Sequence, residues 1–356
     1  REAMRVPALL LSCVHSIAAT YVRSQRYMAG DFFSKWTFFT GPDPTKGFVD
    51  YVDQDVAESS GLAKASGDRV YLGSDAHGVG GRRSVRITSR TKYNGGLFVL
   101  GVDHVPTGCG AWPAFWMFGE DARHTWPEWG EYDIIEGVHR TSKVMTTLHT
   151  TPDCDQSAAE GGVGLQVLDA TGQWGLGASG AAADDCDVNA AGEYHNQGCS
   201  QIGPEGSMGP AFNAGGGGTY AAEWDPEAGH IRTWFWPAGT EPSDLAQERL
   251  DPDSWGRPYS YFSLARRVCA PDHFANMRLV FDLTFCGDLG SPTFAKSCPE
   301  HGAASCEDFV ARHPGELAEA YWSIRSLDVY QRQPAAVRPL PPAPAPAPRP
   351  PALRPP

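Results

Sequence analysis

No stretch of this chain is apolar for long enough to cross a bilayer: the longest run, Val6 to Val14, falls short of the ~20 residues a spanning helix needs. No N-x-[Ser/Thr] sequence occurs, which removes N-glycosylation. Positive charge is in deficit, with 29 Lys and Arg against 42 Asp and Glu and a formal net charge of -13. Nothing is left over to displace the counterions of a phosphate backbone, so nucleic acid is excluded as a partner and a neutral or cationic substrate suits the chain better. C-x-x-C pairs and His/Asp ligand spacings are absent too, so no metal or other cofactor is expected. Helical patterning is scarce: the best candidate, Ser305 to Trp322, is broken by Pro314. Structure has to come from strands and from cysteine.

Nine cysteines are present. Cys13 lies in "MRVPALLLSCVHSIAATY" (Met4 to Tyr21), where one Arg, an apolar run and small Ala18 and Ala19 form the pattern of a secretory leader. Residues 1–20 are therefore expected to be a signal peptide, cleaved near Ala19 to Tyr21, the alternative being a buried apolar strand. The remaining eight cysteines are an even number, as four disulfides in a secreted monomer require, with the pairing left open. At the other end, residues 333–356 ("QPAAVRPLPPAPAPAPRPPALRPP") are too proline-rich to join a core and suit an extended stalk or linker. Between them, residues 21–332 show neither linker nor internal repeat.

Short alternating runs fill that span: "RVYLGSD" from Arg69, "RSVRITSRT" from Arg83, "GLFVLGVDHV" from Gly96, "KVMTTLHTT" from Lys143, "TYAAEWDP" from Thr219, "HIRTWFWP" from His230, "MRLVFDLTFCG" from Met277 and "YWSIRSLDVYQ" from Tyr321. Each is bounded by Gly, Pro, Asp or Asn, which predicts one all-β domain, a sandwich of two antiparallel sheets. Forty Gly and eleven Trp suit a loop-rich β protein with rings to offer a sugar.

The segment "WPEWGEYDIIEGVH" (Trp126 to His139) sets Glu131, Asp133 and Glu136 among strand formers. Strict alternation puts Glu131 and Asp133 on one face and Glu136 on the other. A β-bulge at Ile134–Ile135 returns Glu136 to the first face and turns Tyr132 and at least one Ile to the core. Three acids on one face repel each other, so one stays ionised while another holds a proton. That is what a glycosidase needs: an anionic nucleophile beside a protonated general acid. A calcium cluster or a solvated acidic edge is the plainer alternative, but carboxylates alternating with Ile are unlike a loop-type calcium site.

"GEYDIIEGVH" resembles the E-x-D-x-x-E signature of glycoside hydrolase family 16 in its bulged, laminarinase form. "GCGAWPAFW", "TLHTTPDC", "FNAGGGGTYAAEW", "TFCGD" and "DVYQ" follow in the family's order, so the likeness spans about Phe33 to Gln331. It implies a curved β-jelly-roll with a glucan cleft on its concave face. It also implies a secreted endo-1,3(4)-β-glucanase that acts on β-glucan with retention, a cell-wall transglycosylase or a non-catalytic β-glucan-binding protein being the alternatives. The unbulged E-x-D-x-E spacing usual in family transglycosylases is missing, and both Glu that non-catalytic relatives lose are present. Carried over, Glu131 matches the nucleophile, Glu136 the acid/base and Asp133 the assisting residue. His149 matches a histidine beside the acid/base; Trp116, Trp126 and Trp255 match sugar-holding rings, and Arg86 and Glu223 polar cleft residues. Trp129 and His139 stand where relatives more often have Gly and Asn.

Read without the family, some of these positions are ambiguous. Trp112 and Trp116 straddle Pro113 and either could be core, with Trp116 favoured for the cleft. Trp126 and Trp129 sit among polar and Gly neighbours that point to exposure, and an exposed Trp is a stacking platform for glucose. Trp255 in "DPDSWGRP" reads as a loop residue. By themselves His149, Glu223 and Arg86 would be a structural histidine, a strand-edge charge and a solvated face.

Overall fold

The computed structural model describes residues 20–75, 81–157, 170–247, 249–302 and 304–333. The expected leader, apart from Thr20, and the proline-rich tail after Gln333 lie outside the described residues. The first described strand, Thr20–Tyr27, pairs with the last, Tyr321–Gln333, from Thr20 opposite Gln333 onward, so the two ends of the domain meet side by side. Among the described residues no helix is long and apolar enough to cross a membrane.

Two antiparallel sheets form a jelly-roll sandwich. The eight-stranded sheet runs Gln173–Trp174, Cys199–Ile202, Met145–His149, Glu131–Glu136, Ala111–Gly119, Met277–Phe285, Arg86–Ser89 and Trp36–Phe38. The nine-stranded sheet has Tyr321–Gln333, Gly96–His104 and Gly218–Asp225 at its centre, with His230–Pro237 beside the last of these. Alternation decides what fills the space between them. Phe115 and Met117 from one sheet meet Phe98, Tyr220 and Trp224 from the other in a shared buried core, with Phe115 stacked on Phe281 at 4.4 Å. The opposite parity on each strand is left for the outer faces.

Pro113 sits inside the central strand Ala111–Gly119, where a missing N–H would normally cost a ladder bond. The cost is avoided because the neighbouring acidic strand ends at Glu136, paired with Ala114, one residue before Pro113 would need a partner. The helical candidate near the C-terminus reduces to Cys306–Arg312 and a single turn at Pro314–Leu317. A second helix, Gly287–Ser297, gave no sequence signal, because it contains Gly290 and an internal Pro292. It is held from outside: Cys286–Cys306 joins the starts of the two helices, and Cys109–Cys298 ties the end of the first to the loop before Ala111. Cys154–Cys269 and Cys186–Cys199 complete the set, so all eight late cysteines are paired.

Candidate active site

The acidic strand is bulged. Towards Met145–His149, Glu131 pairs with His149, Asp133 with Thr147 and Glu136 with Met145, so Ile134 and Ile135 together oppose Thr146. Towards Ala111–Gly119, Glu131, Asp133 and Glu136 pair with Phe118, Trp116 and Ala114. Partner positions step by two on both sides while the acids step by two and then three. All three carboxylates therefore share the outer face, and Tyr132, Ile134 and Ile135 are all buried in the core.

The same parity assembles the rest of that face. Trp112, Trp116 and Phe118 stand on one neighbouring strand and Thr147 and His149 on the other. Asp282 follows on the next strand and Arg86, its register partner, on the one beyond. Each glutamate holds one indole N–H: Trp126 Nε1 donates to Glu131 Oε2 at 2.7 Å, and Trp112 Nε1 donates to Glu136 Oε1 at 2.9 Å. His149 Nε2 lies 3.0 Å from Asp133 Oδ2 and 3.8 Å from Glu131 Oε1. The Asp133 approach is off the hydrogen-bond line, which leaves Oδ2 buried without a bonded donor. The Arg86 guanidinium lies between the rings of Phe39 and Trp116, 4.7 and 4.9 Å from their centroids. Asp282 accepts from Trp116 Nε1 at 3.0 Å and from the Tyr51 hydroxyl at 3.1 Å.

Desolvation dominates the titration of this face. Burial first, and the neighbouring Asp133 second, push the Glu131 carboxyl up to about 8, against an ordinary 4.5. Burial, then the charges of Glu136 and Asp282, hold Asp133 well above the usual carboxylate range. Glu136 is also raised by burial, with the Trp112 N–H and His149 pulling the other way. Asp282 is pushed up to about 7 by burial. Near neutrality the face cannot carry all its negative charges, and protons are shared out among the acids. A proton on Asp133 removes the second cause of the rise at Glu131 and so favours the ionised form of that group, against the burial that remains.

A carboxyl whose pKa is higher folded than unfolded favours folding only while protonated. The contribution of Glu131 is complete below about 4.5 and is lost as pH climbs to about 8. Glu131→Gln should thus match the parent in stability near pH 4 and exceed it by a few kcal/mol at pH 8, because each pH unit crossed between those two values is worth about 1.4 kcal/mol. Thermal unfolding at both pH values checks this; a difference that does not grow with pH contradicts it.

Two expected site residues are elsewhere. Glu223 is fully buried on the outer face of the other sheet, bonded to Arg232 Nε at 2.5 Å and His230 Nε2 at 3.1 Å. Trp255 is a loop residue as expected, but its loop folds back over that same distant face. There it packs edge-on against Trp234 and Trp236 and donates to Asp244 Oδ1 at 2.8 Å. Neither faces the acids. For both, a strand parity or a loop position says nothing about which sheet lies beneath. Conversely, two residues outside the expected set, Trp112 and Asp282, belong to the site. Trp112 was legible, since a strand puts residues four apart on the same face; Asp282 needed the sheet order. Trp129 stacks on His124 at 4.1 Å. His139 adopts a φ of 59°, a left-handed conformation that Asn and His tolerate better than most residues.

The ligand atoms of Glu131, Asp133 and His149 lie within 4.8 Å of one another, as do those of Glu223, Asp225 and His230, groupings that linear spacing did not suggest. The second is already occupied by protein cations, Arg232 on Glu223 and Arg332 on Asp225.

Desolvated carboxylates with raised pKa values, ringed by indoles on one face of a β-sandwich, define a carbohydrate-hydrolase type of site. The XgeA-like, catalytic GH16 domain matches residues 36–330, and the chain belongs to glycoside hydrolase family 16. It is 36% identical over 350 residues to an endo-1,3(4)-β-glucanase of Arthroderma benhamiae, covering 94% of this chain and 71% of that one. GH16 Laminarinase 16A from Phanerochaete chrysosporium, solved with 6-O-glucosyl-laminaritriose in donor and acceptor sites, superposes with a TM-score of 0.77. It shares 36% identity, over 88% of this chain and all of that one. An elongating family 16 β-1,3-glucosyltransferase gives a TM-score of 0.75 at 36% identity, over 87% of this chain and all of that one.

Proposed function

We propose that this chain is a secreted endo-β-glucanase that cleaves internal β-1,3 bonds, and 1,3/1,4-mixed ones, by retaining double displacement. The observation that carries the proposal is the bulged register that puts Glu131, Asp133 and Glu136 on one desolvated face. Glu131 attacks the anomeric carbon. Its Oε2 is held by Trp126, which leaves Oε1 for the sugar. Glu136, with Oε1 held by Trp112, carries on its other oxygen the proton for the leaving group and then takes one from water. Protonated Asp133 keeps negative charge off the floor while Glu131 is ionised. Trp116, Trp126 and Arg86 offer rings and a guanidinium to glucose. Four disulfides suit an oxidising, extracellular setting, and the Arthroderma benhamiae relative is named for the same activity.

Transfer to a sugar hydroxyl is the second reading, favoured by the glucosyltransferase, which shares the same 36% identity with this chain as the laminarinase does. Product analysis on laminarin, lichenan and a 1,6-branched β-1,3-glucan separates the two. Shortened oligosaccharides mean hydrolysis and products longer than the donor mean transfer. Inertness on all three substrates overturns the enzyme assignment.

A further inference from the structure

We propose that Thr146 and Tyr259 form a lock beneath the acidic strand, holding the bulge and so setting Glu136 against Glu131. Both are positioning residues, and the proposal rests on the assignment of Glu136 as acid/base. A bulge inserts a residue that the ladder cannot pair, and its carbonyl must find another partner or remain buried and unbonded. Here Ile134 and Ile135 face the single Thr146. The Thr146 hydroxyl turns into the core and donates to the Ile134 carbonyl at 3.0 Å. The Tyr259 hydroxyl lies 2.7 Å from Thr146 Oγ1 and 3.4 Å from the same carbonyl.

All three residues are buried, at 0% for Thr146, 1% for Ile134 and 3% for Tyr259, so water is not at hand to replace either hydroxyl. Tyr259 is itself fixed by its backbone, with its N–H on the Thr233 carbonyl and its own carbonyl receiving the Gly172 N–H, both at 2.9 Å. Thr233 also holds the N-terminal side of the bulge, since its hydroxyl lies 2.5 Å from the Tyr132 hydroxyl. The segment before the bulge and the carbonyl within it are thus referred to one element of the opposite sheet. A regular strand would need neither hydroxyl. Their convergence on the unpaired carbonyl ties this pair to the position of Glu136, which lies beyond the bulge, and not to that of Glu131, which lies before it.

The test uses Thr146→Val, Thr146→Ser and Tyr259→Phe in the full chain. It compares steady-state hydrolysis of laminarin with first-turnover aryl release from an activated aryl β-laminaribioside. The activated leaving group needs no acid, so aryl release reports Glu131 alone. Thr146→Val should lower kcat on laminarin on the order of 10- to 100-fold, the scale of a misplaced catalytic group, with KM within about twofold. First-turnover aryl release should stay within about threefold of the parent, and Thr146→Ser should restore laminarin turnover to a similar margin. Tyr259→Phe should fall between the two Thr146 variants. A parallel fall on both substrates, or a drop in Tm with kcat unchanged, overturns the lock. Glu136→Ala run alongside keeps the two ideas apart: if its defect does not depend on the leaving group, the assignment of Glu136 fails whatever the Thr146 variants do.

Discussion

Glu131→Ala should be inactive on laminarin and on an activated aryl oligoglucoside alike, whereas Glu136→Ala should fail on laminarin only. A nucleophile is needed to expel any leaving group; a general acid matters least when the leaving group is already good. Loss of general acid assistance is worth about 10²- to 10⁴-fold on the natural glucan. On the aryl substrate, Glu136→Ala should release one equivalent of phenol and then stall, because no base activates water. Azide should restart it and yield the β-glycosyl azide, since the anion attacks the intermediate held on Glu131. In Glu131→Ala azide can only occupy the vacated nucleophile position, so any product should be the α-azide. The opposite pattern exchanges the two roles.

The second large effect is expected from removing one of the two isoleucines, Ile134 or Ile135; either deletion gives the same sequence. A residue lost from a strand usually flips everything beyond it to the other face. Here the bulge has already absorbed the extra residue: Glu136 pairs with Met145 and Ala114, two steps from the partners of Asp133. Deletion therefore leaves that glutamate in the same pairing and on the same face, and the strands downstream keep their register. What is lost is a buried isoleucine, worth about 2–5 kcal/mol by the scale of large-to-small core changes. The local bend that aims Glu136 is lost with it. The variant should fold with a lowered Tm and turn over laminarin on the order of 10²-fold more slowly, the cost of a displaced catalytic group. Full activity with unchanged stability would mean that the bulge has no part in aiming the acid.

Local patterns in the sequence carried the strand runs, the sandwich of antiparallel sheets and the acidic strand with its bulge, because parity and spacing are properties of neighbouring residues. Tyr132 turned inward and Trp126 is exposed as their positions suggested; the bond from Trp126 Nε1 to Glu131 was not legible. Contacts that depend on sheet order were not legible. Asp282 is far along the chain from the acids but two strands away in the sheet, and Glu223 has a strand parity that looks the same whichever sheet it belongs to. The helix Gly287–Ser297 was hidden for a related reason: two disulfides, rather than its own propensity, hold it in place. Thr146 and Tyr259 are ordinary residues until the bulge gives them a carbonyl to bond.

The most direct measurement follows the anomeric proton of the first products from laminarin by NMR, before mutarotation. Glu131 and Glu136 converging from one face at the retaining spacing of about 5–5.5 Å should release the β-anomer first. An initial α-anomer would require room for water between them, about 6.5–9.5 Å, and would contradict the double displacement at its centre.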